Sequence, residues 1–188
     1  MQKVAIVTDS TADMPEDLFK KHKISIVPLS VIFENEVFLD DGQKLTNEEF
    51  YKKLKTAKKL PTTAQPTPSD FKKVYSKLLA EYESIISIHI SKKMSGTFDS
   101  AETAKKELQS KDIYVIDSEV TTIALGLIIL KAAELAENGA SKDDIIEAVY
   151  SIKNNLHTLF VPITLEYLQK GGRIGRAKGL IASLLEIN

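Results

Sequence analysis

Ile85-Ile86-Ser87-Ile88-His89-Ile90 decides the fold. The run is rich in β-branched residues, and its apolarity is continuous rather than alternating, which is how a strand covered on both faces of a parallel sheet reads. Val4–Val7, Ile24–Val27 and Ile113–Ile116 share this character. Segments of helical period separate most of these runs, so the sequence predicts an α/β fold with a largely parallel sheet and helices on both faces. Between the second and third runs, Ser30-Val31-Ile32-Phe33 and Glu36-Val37-Phe38-Leu39 flank Glu34-Asn35, the spacing of a two-residue hairpin over 30–39.

Helix starts are marked by side chains that can accept from free backbone N–H groups. Thr46-Asn47-Glu48-Glu49 is a capping box. Thr67 before Pro68-Ser69-Asp70 opens a helix expected to reach about Tyr82, with Phe71, Val74, Tyr75, Leu78 and Leu79 on one face. Asp13 and Ser141 are read as caps in the same way, and Gly139 as the close of a helix beginning near Thr121. Residues 1–155 thus form an N-terminal α/β domain. Beyond it, Thr158–Ile163 is expected to be a strand and Leu165–Lys170 a short helix ending at Gly171-Gly172. The apolar pattern of residues 179–188 breaks off in progress, so 156–188 reads as the start of a second α/β domain whose remainder is absent.

Composition removes whole classes of function. The 188 residues carry 25 Lys+Arg against 26 Asp+Glu, a net charge of −1, with no basic surplus to neutralise a nucleic-acid backbone. The absence of cysteine removes disulfides, thiolate catalysis and Cys-ligated zinc, and fits a cytoplasmic setting. His22, His89 and His157 show no metal-ligand spacing. Met1-Gln2-Lys3 leads straight into the first strand without a secretory leader, and the most apolar stretch, Ile123–Ala133, is far short of the ~20 residues of a membrane span.

Ligands of open parallel sheets lie beyond the carboxyl ends of the strands. The loops there are dense in hydroxyls: Thr8-Asp9-Ser10-Thr11, Ser91-Lys92-Lys93-Met94-Ser95-Gly96-Thr97 and Asp117-Ser118. Helix capping alone accounts for such residues in any single loop, but less readily for three together. Pro61-Thr62-Thr63-Ala64-Gln65-Pro66-Thr67-Pro68 reads as a proline-stiffened loop that presents Thr63 and Gln65, or as a plain spacer. Ser95 lacks a Gly-x-Ser-x-Gly elbow, and His89, inside a strand, is expected to face the core. Gly171-Gly172-Arg173-Ile174-Gly175 follows a helix, the wrong context for a phosphate loop. No base, metal or nucleophile stands out. Hydroxyls and helix-start amides can hold a carboxylate while an adjacent apolar cavity takes a hydrocarbon tail, which points to a carrier. The rivals are an enzyme acting on a small phosphorylated or carboxylated metabolite, and a regulatory module that binds no lipid.

Val7-Thr8-Asp9-Ser10-Thr11-Ala12-Asp13, Val27-Pro28-Leu29, Thr63-Ala64-Gln65-Pro66, Ser95-Gly96-Thr97, Val115-Ile116-Asp117-Ser118 and Leu165–Gly175 occur in this order. Together they resemble the DegV family across the whole chain. The resemblance implies a two-domain α/β fatty-acid binding protein of the cytoplasm without catalysis of its own, its only bound group a long-chain fatty acid. It also implies a partner, a fatty-acid kinase related to dihydroxyacetone kinases, which makes an acyl phosphate for phospholipid synthesis. Carried over by residue, it gives Thr63 and Ser95 as the hydroxyls on the carboxylate, the Gly96 amide beside them, and Arg173 on the kinase-facing surface. Ala64 departs from the serine usual in that loop, which removes one donor.

Overall fold

A computed structural model describes residues 2–175. Among them the strands are β1 (Gln2–Asp9), β2 (Ser25–Val27), β3 (Ser30–Phe33), β4 (Glu36–Leu39), β5 (Thr62–Ala64), β6 (Tyr82–His89) and β7 (Ile113–Asp117). The helices are α1 (Glu16–Lys21), α2 (Asn47–Thr56), α3 (Pro68–Leu79), α4 (Thr97–Glu107), α5 (Thr122–Glu137), α6 (Lys142–Asn155) and α7 (Glu166–Lys170), and a 3-10 turn spans Ser10–Ala12. The chain divides into two units after His157.

The four apolar runs become the four parallel strands of one sheet, in the order β2-β1-β6-β7. Val7 lies opposite Ser25, Ala5 opposite Ile85 and His89 opposite Asp117. Side chains alternate across a strand, so each run feeds two cores. Val4, Ile6, Ile86, Ile88 and Ile90 pack on one face against Phe19 of α1, Leu125, Ile128 and Ile129 of α5, and Ile145 of α6. On the other face Ala5, Val7, Ile85 and Ile113 meet Phe71, Tyr75 and Leu78 of α3 and Ala101 and Ala104 of α4. Burial on both sides is why the runs carry apolar residues toward both faces. From β1 the chain steps outward to β2, and from β6 it steps the other way to β7. The strand order therefore reverses between β1 and β6, the position at which open α/β sheets receive ligands.

A second sheet, β4-β3-β5, carries the predicted hairpin: β3 and β4 are antiparallel, with Phe33 opposite Glu36. Glu34 takes φ 51°, the left-handed conformation that a tight hairpin turn requires. Val31, Phe33 and Leu45 form a small core there with Phe38 and Phe50. In α5, a Cβ at Gly126 would stand 2.8 Å from the Ala12 carbonyl oxygen and 2.6 Å from Met14 Cγ, so only glycine lets the helix press onto the 3-10 turn.

The capping boxes at Thr46, Thr67 and Ser141 form, and Gly139 follows α5 with φ 78°. Other expectations fail for physical reasons. The helix opened by Thr67 stops at Leu79, because Tyr82 is already paired with Gln2 as the first residue of β6. Asp13 does not cap α1. It takes φ 47°, and Pro15 holds the cap position without a side-chain bond. The loop over 61–68 contains a strand, β5, because Thr63 pairs with Val31. Thr158–Ile163 is not a strand: no described strand pairs with it, Leu159 is 95% exposed, and Pro162 cannot donate to a ladder. Residues 179–188 lie outside the described residues. No described helix is long and apolar enough to cross a membrane.

Ile128 is fully buried beneath the sheet, whereas Ile123 on the same helix is 64% exposed. Ile128→Ala should lower stability by about 2–5 kcal/mol and Ile123→Ala by no more than about 0.5 kcal/mol, measured by urea denaturation.

Candidate functional site

Asp9 ends β1 and His89 ends β6, so both stand at the point where the strand order reverses. They lie on the face shared with α3, below the loops that follow the two strands. His89 Nδ1 donates to Asp9 Oδ2 at 3.0 Å, and the Ile90 N–H donates to the same oxygen at 3.0 Å. Asp9 Oδ1 accepts from the Thr11 N–H at 3.1 Å and from the Thr11 hydroxyl at 2.6 Å. Four donors therefore satisfy a carboxylate that has lost its water. Tyr75 donates to Ser87 Oγ at 2.8 Å, and Ser87 stands 2.6 Å from His89 Nε2. With Nδ1 donating to Asp9 and Nε2 bonded to Ser87, each side-chain polar atom in this line from Tyr75 to Asp9 has a partner. Burial alone would raise the Asp9 pKa. The bond to His89, with those from Thr11 and Ile90, outweighs it and holds the carboxyl below its ordinary value. Asp9, Ser87 and His89 are all 0% exposed, so this Asp-His-Ser order offers no face to a substrate.

The turn after β6 carries two of the sequence-predicted residues. It is pinned on one side by Ile90 on Asp9, and on the other by the Ser91 N–H on the Val120 carbonyl and the Lys92 N–H on Asp117 Oδ1. The N–H groups of Met94 and Ser95 both return to the Ser91 carbonyl, which folds the turn tightly. Ser95 Oγ lies 2.9 Å from Thr97 Oγ1, and Ser95 is partly open to solvent. Gly96 is the cap residue of α4, and the Thr97 N–H, the first of that helix, donates to Ser95 Oγ at 3.4 Å.

Gln65 joins this turn to the segment that bears Thr63. A Cβ at Gly96 would fall 2.2 Å from Gln65 Oε1, so the amide lies flat on the glycine, and its Nε2 donates to Ser100 Oγ at 3.0 Å. Thr63 sits in β5, two residues before Gln65, and is exposed. Its hydroxyl has no hydrogen-bond partner among the described residues. Arg173 belongs to the second unit and is exposed, with Nη1 donating to the Gly171 carbonyl at 2.7 Å. Clefts among the described residues lie elsewhere. One of about 570 Å³ at the start of β1 is lined by Lys3, His22, Tyr82 and Glu137, and one of about 340 Å³ by Leu45 and Lys52 beside α2. Among the described residues no cluster of His, Asp and Glu is built to hold a metal ion.

Sequence reading named Thr63, Ser95, Gly96 and Gln65 but missed the chain from Tyr75 to Asp9. The signal was present: Ser87 and His89 alternate with Ile86, Ile88 and Ile90, so a period-two reading of that strand puts both polar residues on one face.

A family model described as "Uncharacterised protein, DegV family" matches residues 3–188. A DegV domain-containing protein of Caldanaerobacter subterraneus is 40% identical over 187 residues, covering all of this chain and 66% of the relative. The chain thus spans about two thirds of the length of the curated relatives it matches. Among solved structures, DegV from Bacillus subtilis, described as a fatty acid binding protein, superposes with a TM-score of 0.88 at 38% identity, covering 97% of this chain and 64% of that one. A DegV family protein from Thermus thermophilus, described for its fatty acid binding, gives 0.87 at 35% identity, covering 98% and 65%.

A depressed carboxylate pKa in the folded state contributes stability that is complete above the unfolded value and is lost as pH falls through the folded one. Asp9→Asn should therefore lower stability at neutral pH and flatten the fall below about pH 3.8, the ordinary value for the group, in urea titrations run across pH. An unchanged difference between the two proteins at every pH would count against the ionised Asp9.

Proposed function

The chain belongs to the DegV family, and from that premise we propose that it binds a long-chain fatty acid, with Thr63, Ser95 and the Gly96 amide on the carboxylate, and presents it to a fatty-acid kinase in the cytoplasm. The observation that carries this reading is the contact of Gln65 on Gly96, which ties the Thr63 segment to the Ser95 turn at the carboxyl end of the sheet. An exposed hydroxyl without a partner on β5 and a helix-start amide behind Ser95 are suited to an anion. They are neutral donors, so they hold a carboxylate without the charge that would bind phosphate more tightly. No base is needed in such a site. The protein acts as a carrier, and the phosphoryl chemistry belongs to the partner.

The division of labour follows from magnitudes. Burying a CH₂ group yields about 0.8 kcal/mol, so a dozen enclosed methylenes offer roughly 10 kcal/mol before the costs of binding. A hydrogen bond to a charged carboxylate contributes about 1.5–3 kcal/mol. The tail supplies affinity and the head supplies orientation. Arg173, exposed after the Gly171-Gly172 turn, is the residue proposed to face the kinase, where a guanidinium can anchor a transient interface.

In the full-length gene product, Thr63→Ala with Ser95→Ala should weaken oleic acid binding by about 10-fold or more, the loss of one or two charge-assisted bonds. Unchanged affinity, or displacement of oleic acid by short phosphorylated metabolites, would overturn the carrier reading in favour of an enzyme of small anions. Arg173→Ala should leave loading intact and reduce acyl-phosphate formation about 10-fold at limiting kinase. An unaltered rate would remove Arg173 from the partner surface.

A further inference from the structure

The Asp9–His89 pair touches the strand end that leads to Ser95 and the helix that follows the Thr63 segment. Through Asp9 Oδ2 it holds the Ile90 N–H, the residue from which the Ser91–Thr97 turn departs. Through Asp9 Oδ1 it holds the Thr11 N–H and hydroxyl and so closes the 3-10 turn, whose Ser10 Oγ accepts the Leu29 N–H at 3.1 Å. The His89 ring meets Phe71 edge-on, with centroids 5.0 Å apart, and Phe71 lies in the first turn of α3, directly after the segment that carries Thr63 and Gln65. One buried ion-bearing pair therefore anchors both the strand end that leads to Ser95 and the helix start that follows Thr63.

An apolar pair of similar size would fill this space without the cost of burying a carboxylate. The polar solution brings direction. A carboxylate that accepts from Ile90 and Thr11 fixes where two backbones leave the sheet, while packing alone leaves them free to slide by fractions of an ångström. Displacements of that size decide whether hydroxyls and amides converge on a bound head group. We propose that Asp9 and His89 are positioning residues of the carboxylate site, holding the Ser91–Thr97 turn and the start of α3 in the arrangement that lets Ser95, Gly96 and Thr63 receive one carboxylate. The proposal rests on the fatty-acid reading above and adds a specificity to it: the pair governs recognition of the acid head and is indifferent to the tail.

Equilibrium dialysis of the full-length gene product with radiolabelled oleic acid and oleyl alcohol separates the two, because the ligands share a tail and differ in head group. His89→Leu removes both ring bonds and should weaken oleic acid about 10-fold while oleyl alcohol stays within about 2-fold. His89→Asn puts an amide nitrogen near the place of Nδ1, keeps the donor to Asp9, and should restore most of the preference for the acid. Should His89→Leu fail to fold, Asp9→Asn gives the same comparison, since it replaces one of the accepting oxygens with a donor. Equal weakening of acid and alcohol would mean a merely structural pair and overturn the proposal. So would full retention of the acid preference in both His89→Leu and Asp9→Asn. A wild-type protein that binds neither lipid removes the fatty-acid reading itself. If Thr63→Ala and Ser95→Ala abolish the acid preference while the His89 and Asp9 variants keep it, only the positioning role falls.

Discussion

A carboxylate without water is the constraint around which the carboxyl end of the sheet is organised. Asp9 is wholly buried where the strand order reverses, and it must find donors or forfeit its charge. It finds them on two stretches of chain: the Thr11 turn, and the His89 ring with the adjoining Ile90 backbone. Each donor is supplied by an element that leads to a loop, so satisfying one side chain fixes the departure of two loops from the sheet. His89 is satisfied in turn only because Ser87 and Tyr75 complete the line beneath α3. The two apolar cores on either side supply the bulk of the burial, and this polar line determines how the loops leave.

The sheet was legible because burial on both faces leaves a plain mark, four short runs rich in β-branched residues that needed no partner to be identified. The hairpin and the capping boxes were legible for a similar reason, since turn and cap chemistry is local. Elements that depend on a distant partner were not. Thr62–Ala64 is a strand only because β3 offers Val31 opposite Thr63, and nothing within Pro61–Pro68 announces that. Thr158–Ile163 has the composition of a strand and no described strand beside it. Tyr82 fitted the helical face of α3 and was claimed instead by the register of β6 on β1.

The candidate site divides along the same line. Its hydroxyls and glycine could be picked out one by one, because they sit in motifs of the DegV family. Their mutual placement could not be read, because it runs through Gln65, whose partners Gly96 and Ser100 lie beyond all of α3 and β6, Ser100 at 35 residues along the chain. The Ser87–His89–Asp9 line was hidden for a different reason. The continuous apolarity of Ile85–Ile90 gives the right sheet and hides Ser87 and His89, which follow Ile85 on one face of the strand.

The seating of Gln65 on Gly96 has a bearing on the family's history. With the amide lying where a methyl group would project, any side chain gained at position 96 evicts the glutamine, and any shorter residue at 65 leaves a hollow over the glycine. Neither site can drift alone without disturbing the other. The two positions should therefore be inherited as a covarying pair, and lineages that have exchanged one should have exchanged its counterpart.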